Sequence, residues 1–300
     1  MIVTELYDGQ GLGNQLWCYA VTRTIALDNG YEFGIMNPAV FKGFGFMNLD
    51  FGNSVFGGDG PPGGPPISLP TKITNYYNER KILHADSDVR TLDMDLQNVS
   101  DNTKIDGVMQ AEEYIKHRKN EIMEWFKIFE KPNISLDNTC VIHFRGGDFV
   151  GAGSTLLPIE YYHNAMEKMK EENEDICFVA VTDDPDFFKL RFPDVKVVGA
   201  SLSGIQDNRK AAHHIGGPIG MDYSIINNAK YIILSNSSFG WWAAWTNTIV
   251  KKVIAPKYWA RHNASDGYWS SGDSLTRDWI WLDKNGSFFD YEQCLEEKRR

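Results

Sequence analysis

The chain reads as an α/β protein of two halves, each built on a mostly parallel sheet, and three observations predict this. Short apolar runs alternate with stretches of helical spacing along most of the 300 residues. The first of these runs form a strand, a glycine loop, a helix and a second strand, which is a βαβ unit. A break at Lys131-Pro132-Asn133 then precedes a second, longer α/β series. The sequence therefore divides into 1–131 and 132–300, each Rossmann-like, with a ligand expected in the cleft between them near the carboxyl ends of strands.

The elements follow in order. A strand over 2–7 runs into Gly9-Gln-Gly-Leu-Gly-Asn-Gln-Leu16, and the helical pattern that follows spans about 15–29, with Gly30 as its stop. A strand over 31–36 completes the unit. The stretch 57–70 is too rich in Gly and Pro for a regular element and reads as an extended surface loop. Tyr114, Ile115, Ile122, Trp125, Phe126 and Phe129 recur at intervals that predict a helix over 111–129. In the second half, strands are expected at 140–144, 176–181, 195–198, 231–234 and 253–255. Helices are expected at 159–172, 185–191 and 221–228. The tail beyond Tyr258 carries Trp259, Tyr268, Trp269, Trp279 and Trp281, which either pack back on a domain or line a cleft.

Composition bounds the function. A formal charge of −10 argues against broad binding to nucleic acid or to anionic membrane, while leaving room for a local basic pocket. Cys18, Cys140, Cys177 and Cys294 form no Cys-x-x-Cys pair and read as small buried thiols in a reducing compartment. The sequence shows no secretory signal pattern and no apolar run of membrane-spanning length. A cytoplasmic place is expected, including a peripheral one at the inner membrane face. The Asn-x-Ser sequons at Asn133, Asn236, Asn263 and Asn285 are then chance occurrences.

Three strand ends carry candidate chemistry. His143, Arg145 and Asp148 follow the strand at 140–144, with Gly146 and Gly147 allowing a tight turn. A guanidinium there matches phosphate oxygens, or Arg145 and Asp148 simply steady the turn. Thr182-Asp183-Asp184-Pro185 follows the next strand. One carboxylate caps the coming helix, which leaves the other to accept from a guanine edge. Ser235-Asn236-Ser237-Ser238-Phe239 ends the strand at 231–234 and opens a helix whose free N–H groups attract anions. Trp241, Trp242 and Trp245 at helical spacing read as core rather than as a sugar platform.

The opening glycine loop departs from the dinucleotide fingerprint, because Asn14 stands at its third glycine. Glu32 at ribose-binding distance keeps NAD open as a remote reading. Asn14 and Gln15 place two amides at the helix entrance, suited to sugar hydroxyls, with Asn14 as a plain helix cap the alternative. The triplets Asp86-Ser87-Asp88 and Asp93-Met94-Asp95 could hold a divalent cation, but neither follows a hydrophobic strand.

Four stretches in order resemble the α-1,2-fucosyltransferases, particularly the bacterial ones. They are Gly11-Leu-Gly-Asn-Gln-Leu16, Met109-Gln-Ala-Glu-Glu-Tyr114, His143-Phe-Arg-Gly-Gly-Asp148 and Asn236-Ser-Ser-Phe-Gly-Trp-Trp242. The resemblance covers most of residues 1–260. It implies a GT-B fold whose N-terminal domain takes the acceptor and whose C-terminal domain holds GDP-fucose, with inverting, metal-independent transfer to O2 of a terminal galactose. It implies that His143, Arg145, Asp183, Ser235, Ser237, Ser238 and Phe239 hold the donor, and that Asn14, Gln15, Gln110 and Glu112 face the sugar or acceptor. Arg145, Asn14 and Asp148 are the residues implied nearest the chemistry, and Asp148, Glu112 and Asp8 are the carboxylates near the motifs. Gly146 stands where the family places a second arginine. That departure raises two alternatives, a different GDP-sugar or a non-catalytic glycan-binding protein on the same fold.

Overall fold

A computed structural model describes residues 1–53, 73–84, 87–90, 92–199, 219–269 and 275–298. Two parallel sheets organise the described chain. The first contains β1 (Ile2–Glu5), β2 (Phe33–Met36), β3 (Asn75–Asn78) and β6 (Thr103–Asp106), in the order β2-β1-β6-β3 with all pairs parallel. A separate antiparallel hairpin joins β4 (Lys81–His84) to β5 (Ser87–Arg90).

The second sheet contains β7 (Thr139–Phe144), β8 (Cys177–Thr182), β9 (Lys196–Val197), β10 (Tyr231–Ile233), β11 (Lys252–Pro256), β12 (Ile280–Leu282) and β13 (Phe288–Phe289). Its order is β13-β12-β11-β10-β7-β8-β9, parallel except for β13. Successive strands add outward in one direction from β7 and in the other from β10. This is the doubly wound pattern, and its topological switch point lies between those two strands. Their carboxyl ends carry the His143–Asp148 and Ser235–Phe239 stretches.

The helices are α1 (Leu12–Asp28), α2 (Lys119–Trp125), α3 (Ile159–Lys170), α4 (Pro185–Lys189), α5 (Ile219–Asn227), α6 (Ser238–Trp245) and α7 (Tyr291–Lys298). Apolar side chains surround most of α1, and thirteen of its seventeen residues are buried, with Leu27 and Asp28 exposed at its end. It is sandwiched between the first sheet and α6. Trp17 of α1 meets Trp241 and Trp242 of α6 with ring centroids 4.4 and 4.7 Å apart. One apolar cluster accordingly runs from Ile2 through α1 and α6 to Trp281 and Cys294, tying the two sheets together.

Several expectations need correction. The helix expected over 111–129 is two 3-10 turns, Glu112–Tyr114 and Lys116–Arg118, followed by the short α2. Its apolar residues Tyr114, Ile115, Ile122 and Phe126 are buried nonetheless, so the spacing reported burial and not a continuous helix. Cys177 is exposed at the start of β8, whereas the other three cysteines are buried. Trp259, Trp269, Trp279 and Trp281 pack inward, and Tyr268 is exposed. The Gly/Pro stretch 57–70 lies outside the described residues. No helix among the described residues is long and apolar enough to cross a membrane.

Candidate active site

A cavity of about 370 Å³ opens between the two sheets, at the switch point of the second. Both halves contribute to its wall. The glycine loop from Gly9 to Asn14, Val108 and Gln110 come from the first, and His143, Arg145, Asp148, Asp183, Ser237 and Phe239 from the second.

Two helix starts meet at this cavity. The N-cap of α1 is Gly11 and that of α6 is Ser237; neither makes a side-chain capping bond, and neither helix has an acidic residue in its first turn. Each therefore presents uncapped N–H groups and the positive end of its dipole to the same space. Gly13 makes the approach possible, because a Cβ there would lie 2.4 Å from Phe239 N. Asn14 locks it. Its Oδ1 accepts from Ser238 Oγ at 2.7 Å and from Gln110 Nε2 at 2.9 Å, joining both halves through one amide. Asn14 lies within the first turn of α1, so the capping role does not apply.

Arg145 lines the cavity between two carboxylates. Its Nη1 is 2.7 Å from Asp183 Oδ2 and its Nη2 is 2.7 Å from Asp148 Oδ1. Asp183 Oδ1 also accepts from Gly146 N at 2.8 Å. Burial raises the Asp183 carboxyl above its usual range, against the opposing pull of Arg145. Asp184 caps α4 by accepting from Phe187 N at 3.2 Å. The two adjacent carboxylates thus divide their work, as the sequence suggested. Asp183 lines the cavity with its carboxylate engaged by Arg145 and by the Gly146 turn.

His143 is buried in the cavity wall. Its Nδ1 shares a 3.2 Å hydrogen bond with Ser235 Oγ. Burial, reinforced by the charge of Arg145, pushes the imidazole down to about 3, so it is neutral at pH 7. Ser235 does not line the cavity; it holds His143. Phe239 does line it, with its ring 5.9 Å from that of His143. Asn236 donates to Thr155 O at 2.8 Å and fixes the loop after β10.

Two expected substrate contacts lie elsewhere. Gln15 is fully buried and points away from the cleft. Its Nε2 donates to Val40 O at 2.9 Å and its Oε1 accepts from Lys42 N at 2.9 Å, so it pins the loop after β2. Glu112 is buried too, accepting from Trp245 Nε1 at 2.6 Å. Burial raises its carboxyl above the usual range. Neither side chain reaches the cavity. Of the acidic triplets, Asp93 is a structural acceptor for Tyr77 Oη at 2.9 Å and Arg80 N at 2.8 Å, and Asp86 lies outside the described residues. Among the described residues no group of three or more His, Cys, Asp or Glu side chains is placed to hold a metal ion.

The structure adds residues that sequence reasoning missed. Asp222 of α5 lines the cavity, and so does Trp259, a tail residue that the sequence left open between core and cleft. Buried Glu79 accepts from Val108 N at 3.0 Å and Met109 N at 2.8 Å, holding the loop that carries Gln110 to the wall. An acid in the first turn of a largely apolar helix was the available signal for Asp222. Glu79, between a polar strand and a basic residue, offered none.

Two Rossmann-like sheets facing a cleft, with polar groups from both converging on a pair of open helix starts, define a GT-B type α/β protein. The chain belongs to glycosyl transferase family 11, whose model matches residues 127–283, just over half of it. It is 26% identical to an alpha-1,2-colitosyltransferase of Escherichia coli over 195 residues, 59% of this chain and 62% of that protein. It is 25% identical to the O-antigen biosynthesis glycosyltransferase WbnK of Escherichia coli over 145 residues, 45% of this chain and 44% of WbnK. The matches thus span less than two thirds of either relative. Crystal structures of NodZ α-1,6-fucosyltransferase soaked with GDP-fucose and of NodZ from Bradyrhizobium superpose more loosely. Their TM-scores are 0.48 and 0.44 at 14% and 13% identity, covering 96% and 84% of this chain and 98% and 94% of those.

Proposed function

We propose that the protein is an inverting glycosyltransferase that moves L-fucose from GDP-fucose to a glycan hydroxyl, O2 of a terminal galactose, without a metal ion. The observation that carries this reading is the convergence of Arg145 with the uncapped starts of α1 and α6 on one cavity between two sheets. A diphosphate leaving group gathers negative charge as the sugar–phosphate bond breaks. A guanidinium and helix N–H groups already aimed at that position stabilise the transition state more than the ground state. The diphosphate takes the place of Asp148 on Nη2, while Asp183 keeps Nη1 and holds the fork in orientation. Asp222, a cavity carboxylate separate from this cluster, faces the nucleoside end and accepts from the guanine edge. Asp148, displaced from the arginine, remains in the cavity wall as a carboxylate that can take the acceptor proton.

A second reading changes only the donor sugar. The Escherichia coli relative is named for transfer of colitose, and Gly146 replaces a motif arginine here. An arginine at 146 would not fit the present turn, because a Cβ there would sit 2.6 Å from Asp184 Cβ. The donor end of the site is therefore shaped around the glycine.

The test is transfer from GDP-fucose to β-galactosides with and without EDTA, alongside thermal shifts with GDP, UDP, ADP and NAD. GDP alone should raise the midpoint, because only the folded state binds it. Arg145→Ala should lower turnover by about 10²–10³ or more. A UDP or NAD preference, or full activity in Arg145→Ala, overturns the assignment.

A further inference from the structure

We propose that Tyr7, Tyr76 and Asp106 form the subsite that receives the terminal neutral hexose of the acceptor glycan. This rests on the transferase reading above and names the acceptor end of that site.

The two faces of the first sheet differ in chemistry. Ile2, Ile35 and Ile105 point into the main core with α1. On the other face, the register sets Lys104 and Asp106 beside Tyr76 and Asn78, with Val3 opposite Lys104 and Glu5 two residues further along β1. Among the described residues, apolar packing on that face is Val3, Met36 and Ile73 with Met1. Its carboxyl end is polar, which is unusual for a parallel strand end unless a ligand is met there.

The polar groups converge on one carboxylate. Tyr76 Oη donates to Asp106 Oδ2 at 3.2 Å, and Tyr7 Oη lies 3.3 Å from the same oxygen. Asn78 Nδ2 donates to Tyr76 Oη at 3.1 Å. Both tyrosines remain exposed, 42% for Tyr7 and 58% for Tyr76. Exposed aromatic faces beside a hydrogen-bonding carboxylate suit a sugar ring, whose C–H face stacks while its hydroxyls donate to the acid. The charge selects a neutral sugar. Lys104 is paired with Glu5 at 2.7 Å and stands 3.8 Å from Asp106, so an acidic or phosphorylated sugar would meet unbalanced negative charge. The cluster also adjoins the reaction cavity along the chain. Two residues beyond Tyr7 lies Gly9, and two beyond Asp106 lies Val108, both in the cavity wall.

The experiment is saturation-transfer difference NMR of methyl β-galactoside, lactose and N-acetyllactosamine on the GDP-bound protein, with steady-state KM for the same acceptors. The wild type should show signal from the terminal galactose ring. Tyr76→Ala and Asp106→Asn should raise KM for the galactoside about ten-fold or more, equivalent to roughly 1.4 kcal/mol. The GDP-induced midpoint rise should survive in both variants, which separates this subsite from the donor site and reports folding. Tyr76→Phe, which keeps the ring, should lose less than Tyr76→Ala. Wild-type KM in both variants, or no signal from any of the three sugars in the wild type, overturns the proposal. Failure of GDP to stabilise the wild type would instead strike the donor reading.

Discussion

Gly13 sits where any side chain would collide with the facing helix: an added Cβ would lie 2.4 Å from Phe239 N and 2.5 Å from Ser238 Oγ. The contact is mostly with backbone, which has little room to yield. Gly13→Ala is therefore expected to cost roughly 1–3 kcal/mol of stability by urea unfolding and to shrink the GDP midpoint shift, since it separates the helix starts that frame the cavity. Unchanged stability and an unchanged shift would contradict the arrangement. The sequence displayed the glycines, and the question they raised was whether the loop holds phosphate or sugar. The structure places the loop at the same cavity as Arg145. What the sequence could not display is that Gly13 serves helix–helix approach, since the partner atoms are more than two hundred residues away. Gln15 shows the same limit. An amide beside Asn14 looked equivalent, yet one residue along a helix turns a side chain by about 100°, away from the cleft.

At the scale of elements, legibility followed pattern strength. The strands β7, β8, β10 and β11 are apolar runs and appeared close to their expected bounds. Strands β3 and β6, Asn75–Asn78 and Thr103–Asp106, are short and polar on one face, and only the pairing of β6 with β1 and of β3 with β6 makes them strands. The 111–129 stretch shows the converse, with apolar spacing kept and helix lost. There Glu112 is spent on Trp245, joining that stretch to α6. Glu112→Ala should cost about 1–3 kcal/mol, because it orphans a buried indole N–H. KM for galactosides should stay at its wild-type value. A selective rise in that KM with stability intact would return Glu112 to the substrate.

Across the whole molecule, two buried imidazoles set the acid side of the stability profile. His143 is pushed down to about 3 and His262 to about 4, both chiefly by burial. An unfolded histidine titrates near 6.5. Below that pH the unfolded chain binds protons that the folded chain does not, so stability falls as pH drops from 6.5 toward 4. By pH 5 each histidine should cost about 2 kcal/mol. The raised carboxyls of Asp183 and Glu112 work in the opposite sense, favouring the fold where they are protonated, and blunt the lower end of the fall. Unfolding midpoints at pH 7.5, 6 and 5 should decline monotonically, and His262→Asn should flatten the slope. A midpoint that is level between pH 7.5 and 5 would contradict the burial of neutral histidine.

The most direct measurement of the central claim is a crystal structure of the protein with GDP. The account predicts the diphosphate against Arg145, with Asp148 displaced from Nη2, and phosphate oxygens within hydrogen-bond reach of the first-turn N–H groups of α6. A diphosphate bound away from Arg145, or crystals that take up no GDP at millimolar concentration, would contradict it.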